Sequence, residues 1–110
     1  PPGWVFPVVW LFLYTLMGIA SYRIYLKNPK AEALKLYLIQ LAVNFFWPVF
    51  FFNLGWQLFA AVWLLVLWYL VFVMIKEFAR IDEGAARLMI PYLVWLTFAA
   101  YLNIVIALHR

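Results

Sequence analysis

Cysteine is absent from the 110-residue chain, which excludes disulfides, thiolate metal sites and a cysteine nucleophile. Charge is scarce, at 11% of residues where a soluble domain carries about 25%. Histidine occurs once, as His109 beside the C-terminus, a position that suits a tail residue better than a ligand. Away from their ends the apolar stretches hold no Asp, Glu, Lys or His. Proton relays and ion pumps ordinarily carry an ionisable residue inside the membrane, and enzymes ordinarily bring titratable groups together in a cleft. Metal-ligand clusters, Gly-rich phosphate loops and nucleophile triads are missing as well. These absences leave hydrolytic and metal catalysis without their usual residues, so a non-enzyme that requires no cofactor is the leading reading.

What the chain has is grease: 71% of residues are hydrophobic and the mean hydropathy is +1.02. Four apolar segments, at about 4–26, 33–52, 56–75 and 85–108, are each close to the roughly 20 residues that span a bilayer. Pro7 is tolerated in the first turns of the first segment. The links at 27–30, 53–55 and 76–84 are short enough to force antiparallel neighbours. The fold expected is all-α, an integral membrane up-down bundle of four transmembrane helices forming a single domain over 1–110.

The net charge of +4 reads as a topology signal rather than a nucleic-acid footprint. Arg23, Lys27, Lys30, Lys35, Lys76, Arg80 and Arg87 gather at the two links that such a bundle places on one side, and Arg110 alone lies opposite. The positive-inside rule puts the cationic side in the cytoplasm of a bacterial inner membrane; an outer mitochondrial or other organelle membrane is the alternative. Arg23 is placed to snorkel to the interface. The four acids, Glu32, Glu77, Asp82 and Glu83, fall on the cationic side and read as solvated loop residues.

The stretch YLIQLAVNFFWPVFFF (37–52) is unusual within this background. On a helix Tyr37, Gln40, Asn44, Trp47 and Phe51 share one face, and the opposite face has no polar side chain. Comparable stripes run along the other segments: Pro7, Trp10, Tyr14 and Met17; Trp56, Phe59 and Trp63; Trp95, Ala99, Leu102 and Asn103, where Ala99 leaves room between bulky neighbours. Because the segments alternate in direction, these positions collect in the cation-poor half of the bilayer. Rings offer stacking area and amides fix orientation, a combination that suits a flat, mostly apolar ligand.

Plainer roles compete for the same residues. Trp4, Trp56, Tyr22 and Tyr25 fit interfacial belts, and Trp63 and Trp68 could equally face lipid. Gln40, Asn44 and Asn103 could be interhelical hydrogen-bond glue, worth around 0.6–2 kcal/mol each. Pro48 and Pro91 fit helix shaping. A homodimer is an open partnership for which the sequence offers no face, since no GxxxG occurs.

Three stretches, PPGWVFPVVWLFLYTLMGIASY, LYLIQLAVNFFWPVFF and LMIPYLVWLTFAAYLN, closely resemble the TspO/translocator-protein family, also called tryptophan-rich sensory proteins or peripheral benzodiazepine receptors. The resemblance covers nearly the whole chain. It implies a five-helix membrane bundle that binds porphyrins such as protoporphyrin IX, and in some members cholesterol and isoquinoline ligands. It also implies that the family's first helix and most of the loop after it would precede Pro1. By motif it places Trp10, Asn44, Trp47, Trp95, Ala99 and Leu102 at pocket or pocket-supporting positions, and Phe59 where other members have tryptophan. The family's sterol pattern is not met, because Tyr101 is too far from Arg110.

The function expected is therefore binding, sensing or transport of a porphyrin, protoporphyrin IX or a heme-like tetrapyrrole, within the lipid membrane. Stacking is expected on Trp10, Trp95 and Phe59, with Tyr14, Trp47, Ala99 and Leu102 around them and polar contacts from Asn44 and Asn103. The alternatives are a structural subunit whose aromatics only pack helices, a small transporter, and the light-dependent porphyrin degradation proposed for some members of the family.

Overall fold

The computed structural model describes residues 3–109 of the chain. Pro1, Pro2 and Arg110 lie outside the described residues, and with them the Pro-Pro start and the lone cation expected opposite the others. Four helices follow one another: α1 (Val5–Lys27), α2 (Glu32–Pro48), α3 (Gln57–Ile81) and α4 (Glu83–Leu108). A π-helical turn, Val49–Asn53, extends α2. With that extension, each of the four is long and apolar enough to cross a membrane. Among the described residues there is no strand. The protein is an all-α integral membrane bundle.

Cross-helix hydrogen bonds fix the directions. Tyr14 pairs with Asn44 and Met17 with Gln40, so residue numbers fall along α1 as they rise along α2. Val43 pairs with Trp63, and Gln57 and Trp68 pair with Asn103 and Thr97. Sequential helices are thus antiparallel, as links of four residues or fewer require. Around the bundle the order is α1, α4, α3, α2. The closest packing is between α3 and α4, followed by α2 on α3 and α1 on α4, whereas α1 and α2 are less closely packed despite their short link.

Packing is uneven along the bundle axis. The fully buried apolar residues Met17, Ile24, Leu67, Val71, Met74, Phe78 and Met89 fill the half nearer the cationic links. The other half is walled by rings and is less completely filled. Outward-facing Leu11, Phe45, Leu58, Val62, Tyr69 and Val94 are exposed, the apolar perimeter that lipid would cover.

Two details differ from the expectation. The third helix does not stop near residue 75; it continues to Ile81, and the expected link at 76–84 shrinks to Asp82. Hydropathy ends where the charges begin, but Lys76, Glu77 and Arg80 are good helix formers, and Glu77 and Arg80 pair at i,i+3. Nor is Asp82 a solvated loop residue, being only 6% exposed. Its Oδ2 accepts from Arg23 Nε at 2.6 Å and its Oδ1 from Arg23 Nη2 at 3.1 Å, with Lys27 Nζ 3.5 Å away. Its Oδ1 also accepts from Gly84 N–H, capping α4. Arg23 therefore closes onto the α3–α4 junction instead of reaching to the interface. Gly84 makes room for this, since a Cβ there would collide with the Arg23 guanidinium. The hydrogen bond from Arg23, then the charges of Arg23 and Lys27 and the Gly84 N–H, hold the Asp82 carboxyl down at about 2 despite its burial.

Candidate ligand-binding site

Four polar side chains meet where α1, α2 and α4 converge. Tyr14 O–H donates to Asn44 Oδ1 at 3.2 Å, Asn44 Nδ2 donates to the Tyr92 hydroxyl at 2.6 Å, and Tyr92 O–H donates to Gln40 Oε1 at 2.7 Å. Gln40 Nε2 ends the chain at Met17 Sδ, 3.9 Å away. Gln40, Asn44 and Tyr92 are buried, so each needs its partners: an unpaired polar group in an apolar medium costs several kcal/mol. Spacing on α2 puts Gln40 and Asn44 one turn apart on the inward face, as the stripe reading expected.

A second polar contact lies nearer the helix ends. Trp47 Nε1 donates to Asn103 Oδ1 at 2.9 Å, and Asn103 Nδ2 donates to the Gln57 carbonyl at 2.9 Å. Asn103 thereby ties α2, α3 and α4 together. Both amides of the expected site are thus engaged as interhelical hydrogen bonders, while their side chains still border open space.

That space consists of two adjoining cavities. An inner one of about 230 Å³ is lined by Trp10, Tyr14, Asn44, Trp47, Pro48, Phe52, Leu64, Leu67, Leu96 and Ala99. An outer one of about 320 Å³ is lined by Phe6, Trp10, Trp47, Phe51, Phe52, Trp95, Phe98, Ala99, Leu102, Asn103 and Ile106. None of these residues carries a charge. The outer volume lies at the lower end of the roughly 300–1,000 Å³ usual for small-molecule sites. The rings are mutually braced: Trp10 stacks on Tyr14 at 5.5 Å and meets Trp95 edge-on at 6.3 Å and Tyr92 at 6.4 Å. Trp47 stacks on Phe51 at 4.9 Å. Such pairs contribute about 0.5–1.5 kcal/mol beyond burial, enough to hold the walls in shape.

Of the nine residues expected from the sequence, eight line one or both cavities: Trp10, Tyr14, Asn44, Trp47, Trp95, Ala99, Leu102 and Asn103. Phe59 does not. It sits at the α2–α3 corner, 46% exposed, in a cluster with Phe50 at 4.9 Å, Trp56 at 5.9 Å and Trp63 at 6.0 Å. The reason is geometric. The π-helical turn and the link to Trp56 turn the start of α3 so that its aromatic stripe meets Phe50. Trp63 also points inward, donating to the Val43 carbonyl at 2.7 Å, and Trp68 donates to Thr97 Oγ1 at 2.8 Å.

Several residues in or beside the site escaped the sequence reading. Phe6 lies one turn before Trp10 and could have been found at that spacing in place of Pro7. Tyr92 shares a helical face with Trp95, Ala99 and Asn103, so its role in the polar chain was visible in the same stripe. Phe51 is on the face that helical spacing drew through Asn44 and Trp47, whereas Phe52 owes its position to the π turn. Pro48 lacks the N–H that α-helical bonding needs, and the next turn closes i to i−5, with Leu54 N–H on the Val49 carbonyl at 3.0 Å. A period of 3.6 does not predict where the Phe52 ring points.

Comparison with known proteins places this architecture. Residues 1–109 match the TspO/MBR family. The chain is 36% identical to the tryptophan-rich protein TspO of Chlorobaculum tepidum, covering 96% of this chain and 70% of that one. It is 38% identical to the tryptophan-rich sensory protein of Cereibacter sphaeroides, covering 94% and 65%. It is also 38% identical to the human translocator protein, covering 94% and 64%. The chain thus spans about two thirds of the length of these relatives. A match over nearly every residue, joined to a bundle of four membrane-spanning helices, establishes that this chain belongs to the TspO/MBR family.

Proposed function

We propose that this membrane protein is a receptor or carrier for a flat, mostly apolar ligand of the porphyrin class, such as protoporphyrin IX or a heme-like tetrapyrrole. The observation that carries the reading is the pair of adjoining, uncharged, ring-walled cavities in the cation-poor half of the bundle. Trp10, Trp47 and Trp95 supply stacking faces, and Ala99 and Leu102 leave and shape the space between them. Asn44, Tyr14 and Asn103 offer polar atoms at the margins. Phe59 has no part in the stacking. The names of the relatives, sensory protein and translocator, support a role in sensing or moving such a ligand. The bacterial relatives and the cation asymmetry support a bacterial inner membrane with the Arg23–Asp82 end in the cytoplasm. One TspO-type domain over 1–110 is part of the same proposal.

One observation favours the plainer reading, in which the aromatics and amides only pack helices: both asparagines already have interhelical partners. Titrating the purified protein in detergent with micromolar protoporphyrin IX separates the two. The binding reading expects saturable quenching of tryptophan emission that Trp95→Ala weakens by about tenfold, a loss of about 1.4 kcal/mol. Unquenched emission, with Trp95→Ala altering stability alone, would establish packing as the whole role.

A further inference from the structure

The inner and outer cavities have four lining residues in common: Trp10, Trp47, Phe52 and Ala99. Three of these cannot easily move aside. Trp10 is braced by the rings of Tyr14, Tyr92 and Trp95. Trp47 is pinned by its hydrogen bond to Asn103, and Ala99 has no side-chain torsion to turn. Phe52 is different. It is 69% exposed, has no polar anchor, and pairs edge-on with the rings of Trp47 at 5.8 Å and Phe51 at 4.8 Å.

We propose that Phe52 is a movable partition between the two cavities and sets the size of ligand the site accepts. This rests on the ligand-binding reading above and deepens it. With the ring in place the site offers two compartments, of about 230 and 320 Å³; with the ring turned outward it offers one continuous slot. The backbone need not move for this. Phe50, two residues earlier, is locked between Trp63 at 4.8 Å and Phe59 at 4.9 Å and stacks over Trp56, which holds the turn while Phe52 rotates. The three consecutive phenylalanines therefore divide their work: Phe50 anchors, Phe51 stacks on Trp47, and Phe52 separates. The π turn makes this division possible by spreading successive side chains away from α-helical register, and such turns recur at functional sites. Rotation of an exposed ring is fast, on the picosecond-to-nanosecond scale, so the partition tunes selectivity rather than slowing access.

The test compares two flat probes of different size on the whole chain in detergent: protoporphyrin IX, a macrocycle, and acridine, with three fused rings. Binding is read from each probe's own fluorescence. The quantity of interest is the ratio of protoporphyrin to acridine affinity. It is expected to rise about tenfold in Phe52→Ala and to fall about tenfold in Phe52→Trp, each equal to about 1.4 kcal/mol. A ratio unchanged in either variant, or moved in the opposite sense, overturns the partition and leaves Phe52 as plain wall. If Phe52→Ala does not fold, Phe52→Leu takes its place with the same expected direction. The two readings fail differently. Should the wild type bind acridine and not protoporphyrin IX, the porphyrin reading fails. The partition then survives only if Phe52→Ala gains protoporphyrin binding. Should neither protein bind either probe, both readings fall.

Discussion

The Tyr92 hydroxyl lies 2.6 Å from Asn44 Nδ2, joining α4 to α2 at the centre of the bundle with no water-exposed surface on either residue to speak of. Tyr92 is the junction of the polar chain, because it also donates to Gln40. Tyr92→Phe keeps the ring and its packing while removing both contacts. Interhelical hydrogen bonds in membranes are worth about 0.6–2 kcal/mol, and the orphaned amides add to that. Thermal unfolding in detergent should show Tyr92→Phe destabilised by about 1–2 kcal/mol. Tyr92 lines neither cavity, so porphyrin quenching should persist. A variant as stable as the parent would mean that the two amides find other partners.

Ala99 borders both cavities, and its small side chain is what keeps them open. Ala99→Leu would project an isobutyl group into space that has no other occupant in the bundle. Filling a void costs a folded protein little when the volume is already there, so stability should hold. Ligand affinity should fall by about tenfold or more. Equilibrium binding together with a melting curve checks both halves; a fall in both would indicate overpacking instead.

How much of this was legible in the sequence depends on the kind of signal. The four spans follow from apolar runs that nothing soluble could tolerate, and the inward stripe of Gln40, Asn44 and Trp47 follows from helical spacing alone. Hydropathy misjudged the end of α3 because a helix can leave the membrane without stopping: the Lys76–Ile81 turn is polar but still helical. The role of Asp82 was invisible, since its partner Arg23 is 59 residues upstream and a charged link gives no hint of which acid is buried. Phe52 and Phe59 share one cause. Beyond Pro48 the backbone changes register, so the α-helical count that still carries Trp47 to Phe51 fails for the rings after it, Phe52 and, across the link, Phe59.

Phe59 offers a direct check on that account. Its ring packs at the α2–α3 corner with Phe50, Trp56 and Trp63 and lines neither cavity. Phe59→Ala should leave protoporphyrin affinity within about twofold, under roughly 0.4 kcal/mol by the usual conversion. It should lower stability modestly, since aromatic pairs contribute about 0.5–1.5 kcal/mol and the residue is half exposed. A tenfold loss of affinity, matching Trp95→Ala, would return Phe59 to the binding wall.

The Arg23–Asp82 contact joins the far end of α1 to the α3–α4 junction, opposite the cavities, and its pH dependence has a definite sign. The Asp82 carboxyl is lowered from 3.8 to about 2 in the folded protein. A group whose folded value is depressed stabilises the fold above its unfolded value, and that stabilisation is lost as pH falls through the folded value. The contact should therefore be fully formed at every pH from about 5 upward and fail only between about 4 and 2. Asp82→Asn, which keeps a cap on α4 but loses the charge, should be less stable than the parent at pH 7. The gap between the two melting temperatures should stay constant down to about pH 5 and close as pH approaches 2. A gap that narrowed between pH 7 and pH 5 would mean that some other titrating group, not the Asp82 carboxylate, holds α1 to the junction.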